Sequence, residues 1–319
     1  MTVLVTGAAG FVGSHLAERL VEDGVSVRGI DRMADFYDPA RKRENIASLL
    51  RGADFEFVEE DLNTVDFDAL LEDVDVVHHL AGQAGVRTSW GTEFATYLDD
   101  NVLATQRLLE ASRERDLRRF VYASSSSIYG DAEHFPTKES ETPAPISPYG
   151  MSKLAGEHLG RLYFRAFGVP VVSLRYFTVF GPRQRPDMAF SRFIGAALED
   201  RPIKVFGDGM QERDFTYVGD IVEATMAAGS RGEPGAVYNI AGGNHSTVAG
   251  VIEALERLTG RTLEIERSDA AVGDARRTGA DIARAREDLG YDPAVSLETG
   301  IARQLEAERG RRELGPEKP

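Results

Sequence analysis

Tyr149 and Lys153 stand four residues apart and are the pair in this chain best suited to proton chemistry. On a helix that spacing puts both side chains on one face. A phenol with a pKa near about 10 is a poor base at neutral pH. An ammonium beside it stabilises the phenolate, so the pair could take the proton of a substrate hydroxyl. By itself the spacing also fits a core tyrosine beside a solvated lysine. Two neighbours favour the reactive reading. Pro148 directly precedes Tyr149, as at a helix start. Upstream, Ser124, Ser125, Ser126 and Ser127 close an apolar stretch and lead into Ile128-Tyr129-Gly130. That run predicts hydroxyls at the carboxyl edge of a parallel sheet, where open α/β folds take ligands. A serine there can share a substrate oxygen with Tyr149.

The elements that must position these groups are legible as an alternation. Short β-branched runs at 3–5, 26–30, 55–58, 74–78, 119–123 and 169–175 read as strands. Helical patterns lie between them, near 12–23, 41–51, 66–72, 95–115 and 149–167. Near-continuous apolar strands alternating with helices predict a Rossmann-type doubly wound parallel sheet, covered on both faces. From about residue 180 the regularity gives way to Gly, Pro and Arg-rich stretches. The expected division is a dinucleotide-binding part over 1–180, its sheet completed by later segments, and a smaller part over 181–319 that walls a cleft.

The first strand runs into Gly7-Ala8-Ala9-Gly10-Phe11-Val12-Gly13 and then a helix. Glycines at this spacing allow the tight turn, the approach of a pyrophosphate to the backbone, and close helix–strand packing. The helix N-terminus adds amide donors and a positive dipole end. Asp31 closes the second strand, where a carboxylate can accept both ribose hydroxyls of NAD and would repel the 2′-phosphate of NADP. Arg32 follows it and cuts the other way. Asp61-Leu62, after the third strand, reads either as an adenine contact or as a strand-end turn.

Composition narrows the field. The 319 residues are 42% hydrophobic and 28% charged, an ordinary globular balance. With no cysteine, disulfides, thiolate nucleophiles and cysteine zinc sites are excluded. The six histidines show no metal-binding spacing, so no metal is expected. His78 and His79 on a strand would point to opposite faces, as packing or near-cofactor residues. A net charge of −15 argues against nucleic acid as a partner and requires a local cluster of cations for any anionic substrate. The sequence holds no 18-residue apolar run and no signal-like start, so no membrane partner is expected and a cytoplasmic location is the default.

Together these motifs resemble the extended short-chain dehydrogenase/reductase family, in its branch of nucleotide-sugar epimerases and dehydratases. The likeness rests on the glycine run, Asp31, Asp61-Leu62, His79-Leu80-Ala81, Asn101, Ser125 to Gly130, Tyr149 to Lys153 and Arg213-Asp214-Phe215, and spans about residues 3–293. It implies Tyr149, Lys153 and Ser125 as catalytic residues. It places Leu80, Ala81, Ala123, Tyr176 and Val179 against NAD, and implies that Asn101 positions the lysine. Dehydratases of this branch carry acidic residues where Ser126 and Ser127 stand, and decarboxylases carry a glutamate at the Ser127 position. Their absence favours 4-epimerisation of a UDP-sugar through a 4-keto intermediate. The stretches around Arg87, Thr178 and Arg185 look like UDP-glucuronate 4-epimerases. The expectation is that Arg185 binds a C6 carboxylate with help from Thr178, the alternative being a surface charge in an Arg-rich loop. Arg87 either binds that carboxylate or shapes its loop. Arg213 matches the family's diphosphate arginine, Lys204-Val205-Phe206 would bracket the uracil, and Asp274 and Arg276 would reach the ribose and phosphates. The competing readings are a UDP-glucose/UDP-galactose 4-epimerase, a UDP-glucuronate decarboxylase and a non-catalytic NAD-sensing protein. By analogy with relatives that pair the helices near 95–115 and 149–167, a homodimer is expected.

Overall fold

A computed structural model describes residues 1–269, 273 and 275–314. Its first half alternates as expected: β1 (Thr2–Thr6), α1 (Phe11–Glu22), β2 (Ser26–Ile30), α2 (Pro39–Ile46), β3 (Phe55–Val58), α3 (Phe67–Leu70), β4 (Val74–His79), α4 (Phe94–Tyr97), α5 (Ala104–Ala111), β5 (Arg119–Ser125), α6 (Pro148–Phe167) and β6 (Val171–Tyr176). The expected helix over 41–51 is divided into α2 and a 3-10 turn at Leu49–Arg51. The sixth strand starts at Val171, not Val169, because Pro170 has no amide proton for a ladder. Between α4 and α5 the chain widens into a π-helical segment, Leu98–Leu103, which carries Asn101.

The later elements are β7 (Val179–Phe180), α7 (Ala189–Leu198), β8 (Ile203–Phe206), β9 (Glu212–Tyr217), α8 (Val218–Arg231), β10 (Val237–Ile240), β11 (Asn244–Thr247), α9 (Val248–Thr259), β12 (Ile265–Ser268), α10 (Ala283–Leu289) and α11 (Leu297–Leu314). The central sheet has seven strands in the order β10-β6-β5-β4-β1-β2-β3. Every pairing in it is parallel. The strand order reverses between β1 and β4, so a crevice opens at their carboxyl ends. Strand β10 completes the sheet from far along the chain. Buried side chains such as Leu4, Val77 and Phe120 fill the layer under one face, and Val3, Leu16 and Val76 the other. The smaller region packs its own core around Phe180, Phe190, Phe215 and Ile301. Among the described residues, no helix is long and apolar enough to cross a membrane, and no group of three or more His, Asp or Glu is placed to hold a metal ion.

Candidate active site

The catalytic helix is fixed at its start. Ser147 caps it, its Oγ accepting the Gly150 amide at 3.1 Å, and Pro148 occupies the first turn. Gly150 is needed for a close approach: a Cβ there would lie 2.5 Å from the Ser127 carbonyl oxygen. The first turn of α6 therefore rests on the serine turn, and Tyr149 meets Ser125. Tyr149 and Lys153 both face one cleft of about 670 Å³, which also takes Ser125, Ser126 and Ser127 from the end of β5.

The electrostatics differ in one respect from the simple pairing. Burial pushes the Tyr149 phenol above its usual pKa, while a hydrogen bond with Ser125 and the charge of Arg185 pull it back. Burial alone pushes the Lys153 ammonium down, to about 8. Arg185 is thus a cation whose charge acts on the phenol. Lys153 lies with its Nζ 5.1 Å from the Tyr122 ring centroid.

Asn101 lies behind the cleft, 1% exposed. Its Nδ2 donates to the Gln83 carbonyl at 2.9 Å and to Ser152 Oγ at 2.8 Å, and Ser152 Oγ donates to the Tyr149 carbonyl at 2.8 Å. It thus grips α6 through Ser152, between Tyr149 and Lys153. His79 and His78 point to opposite faces of the sheet, as alternation requires. His79 bridges Thr6 and Thr105 at 2.8 and 2.9 Å. His78 packs by Gly229 of α8.

At the switch point, Gly7, Gly10, Phe11, Val12 and Gly13 line the same cleft. A Cβ at Gly13 would stand 2.1 Å from the Gly7 carbonyl oxygen, so glycine is required where α1 crosses the turn. Asp31, Arg32, Asp61, Leu62, Leu80, Ala81, Ala123, Tyr176 and Val179 complete this half. Asp31 Oδ1 accepts Lys42 Nζ and the Met33 amide, each at 2.9 Å. Arg32 is held by both oxygens of Asp100 at 2.7 Å and by Asp61 at 3.1 Å. A guanidinium so committed is poorly placed to recruit a 2′-phosphate. Asp61 Oδ1 accepts the Asn63 amide, so it forms the strand-end turn and faces the cleft at once. The glycine cradle and the acidic edge of β2 fit an NAD molecule, and Asn101 Oδ1 is a buried acceptor without a partner nearby.

The other half of the cleft belongs to the smaller region. Arg87, Thr178, Arg185, Lys204, Val205, Phe206 and Arg213 all line it. The Arg87 guanidinium lies 4.0 Å from the Phe206 ring centroid, with Arg192 at 5.4 Å and Lys204 at 5.9 Å. Arg185 forms a two-pronged pair with Asp187. Arg276 is not brought to the cleft. Its guanidinium turns to Asp208, at 2.9 and 3.0 Å, on the exposed side, and only its carbonyl touches Arg213. Asp274 lies outside the described residues. Sequence reasoning missed Lys42, Arg192 and Asp187. Lys42 sits between Arg41 and Arg43 on α2, where only the fold turns it inward, and Arg192 is the one charged residue of the largely buried helix α7.

A glycine-cradled switch-point cleft with a Tyr–Lys pair at its floor defines a nicotinamide-dependent enzyme of the short-chain dehydrogenase/reductase type. The chain belongs to the NAD dependent epimerase/dehydratase family, whose sequence model it matches over residues 3–241. It is 46% identical to a Bacillus subtilis (strain 168) protein named as an uncharacterized UDP-glucose epimerase, over 96% of this chain and 97% of that one. It is 37% identical to the UDP-glucuronate 4-epimerase of Thermodesulfobacterium geofontis (strain OPF15), over 95% and 94%. Among solved structures, it superposes with a TM-score of 0.95 and 43% identity on the Bacillus cereus UDP-glucuronic acid 4-epimerase in complex with UDP-glucuronic acid and NAD, covering 97% of this chain and 99% of that one.

Proposed function

We propose that this NAD-dependent isomerase interconverts UDP-glucuronate and UDP-galacturonate by epimerisation at C4. One observation carries the choice of substrate: Arg185 stands in the reaction half of the cleft, close enough for its charge to act on Tyr149. Guanidinium is the side chain suited to a carboxylate. The serine turn carries hydroxyls at Ser126 and Ser127 and no carboxylate. Dehydration and decarboxylation therefore lack the acidic residues that the family's dehydratases and decarboxylases carry at these positions.

When bound, NAD supplies a hydride acceptor and donor for C4. Tyr149, as phenolate, takes the C4 hydroxyl proton, and Ser125 hydrogen-bonds the same oxygen. Lys153 holds positive charge beside the phenolate. The 4-keto sugar turns over in the cleft so that the opposite face of C4 meets the hydride donor and takes the hydride back, and Tyr149 returns its proton to the C4 oxygen. No net oxidation results. Arg213 and the Phe206 cluster hold the UDP end while the sugar end stays free to turn. In this reading residues 1–180, with later sheet segments, serve NAD, and 181–319 mainly serve the UDP-sugar. A homodimer is part of the proposal, supported by the exposed apolar side chains of Leu98, Leu103, Met151, Leu162 and Phe167 on the two helices expected to pair. Light scattering tests it. A cytoplasmic location is also part of it, tested by cell fractionation.

One observation favours UDP-glucose instead: the fork of Arg185 already holds Asp187. Supplying UDP-glucuronate and UDP-glucose separately and quantifying the 4-epimers by nuclear magnetic resonance decides the matter. Turnover of UDP-glucose alone would sink the uronate assignment.

A further inference from the structure

We propose that Asp187 is a specificity-determining residue, an internal competitor for the guanidinium that receives the sugar carboxylate. The inference rests on the uronate reading and deepens it. Arg185 Nε donates to Asp187 Oδ1 at 3.0 Å and Arg185 Nη2 donates to Asp187 Oδ2 at 2.8 Å. This is the two-pronged geometry in which guanidinium binds any carboxylate most strongly. Both side chains face the cleft.

Arg185 has an aromatic contact besides that pair. Its guanidinium lies 5.5 Å from the Phe36 ring centroid, and its side chain is 18% exposed against 40% for Asp187. Its charge acts on Tyr149, Tyr97 and Tyr37, which places it among the aromatic groups of the reaction half. Asp187 is the looser partner, reaching across two positions of the same turn.

A fork edge accepts one carboxylate at a time, and two carboxylates drawn to one guanidinium repel each other. A uronate must displace Asp187 or take the remaining Nη1 edge against its charge. A neutral hydroxymethyl group at the same carbon displaces nothing. Asp187 therefore weakens binding of the uronate and leaves that of the neutral hexose almost untouched. It sets the ratio between them, and lowers retention of a carboxylate-bearing sugar that must come loose to turn over.

The test uses NAD-loaded protein and two variants, Asp187→Asn and Asp187→Ser, both at a part-exposed position that packing tolerates. Titration calorimetry gives Kd for UDP-glucuronate, UDP-glucose and UDP, and initial rates give KM and kcat. In both variants UDP-glucuronate should bind about tenfold tighter with a matching fall in KM, and UDP-glucose and UDP should stay within about twofold. Unchanged or weaker UDP-glucuronate binding in both variants would overturn the inference and make Asp187 a support that aims Arg185. Failure of the wild-type protein to bind or convert UDP-glucuronate would instead strike the underlying substrate assignment.

Discussion

Glu157 receives Arg175 through two hydrogen bonds, Nη2 to Oε1 at 2.5 Å and Nε to Oε2 at 3.1 Å, in the layer between α6 and the sheet. The pair is buried, at 7% and 4% exposure. Ser124 Oγ also donates to Glu157 Oε2, at 3.0 Å, and Arg175 Nη1 donates to the Tyr129 hydroxyl. Glu157 follows Lys153 by one helical turn, so this carboxylate locks the catalytic helix onto β5 at the serine turn and onto β6. Removing one partner of a buried pair leaves a charge without compensation, which costs about 3–5 kcal/mol. Glu157→Ala should therefore lose about that much stability in urea unfolding. A loss under about 1 kcal/mol would show that the network contributes little.

Tyr149→Phe removes the hydroxyl proposed to exchange the C4 proton and keeps the ring that packs edge-on to Tyr97, 6.2 Å away. Turnover should fall roughly a hundred- to ten-thousandfold. Affinities for NAD and UDP should stay as they are, because neither depends on the hydroxyl proton. Calorimetry and product assays on the same preparation separate the two. Undiminished turnover would refute the assignment of Tyr149 as base.

The first six strands and the nucleotide cradle were legible because each is a local signal: a β-branched run, a glycine spacing, a carboxylate at a strand end. The Tyr149–Lys153 pair was legible for the same reason. Strand β10 was not, because Val237–Ile240 is four residues long and becomes a strand only by pairing with β6. The π-helical turn at Leu98–Leu103 left no periodicity of its own. The family resemblance placed Arg276 at the phosphates, yet the competing carboxylate of Asp208 lies 68 residues away in sequence. Asp187 left no signal in the sequence, because a carboxylate two residues from an arginine is ordinary until both are seen in the cleft.

Phe206 is the aromatic centre of a cationic cluster, with Arg87, Arg192 and Lys204 around its ring. Cation–aromatic contacts of this kind contribute about 0.5–2 kcal/mol each and, in the proposed function, fix the cations that hold the anionic nucleotide. Phe206→Ala should raise KM and the Kd for UDP roughly tenfold. In the proposed function the ring belongs to the uridine end and not to the proton-transfer pair, so kcat should change little. A fall in kcat with KM unchanged would move Phe206 out of the nucleotide-holding half.

Two buried histidines give the fold an acid limit. Burial lowers His78 to about 4 and His79 to about 3, the latter also by the charge of Lys153, from an ordinary value of 6.5. In the unfolded chain both bind a proton as pH falls through 6.5, whereas in the folded protein both stay neutral until far lower. Between those limits the unfolded state holds more protons, so stability declines as pH drops, by up to about 1.4 kcal/mol per pH unit for each histidine. Between pH 7 and pH 5 the fall in the urea midpoint should correspond to a loss of about 2–4 kcal/mol. His78→Gln removes one titrating group and should flatten that slope by about half, whatever it does to stability at neutral pH. Identical slopes in the variant and the wild type would show that His78 takes up its proton as readily folded as unfolded.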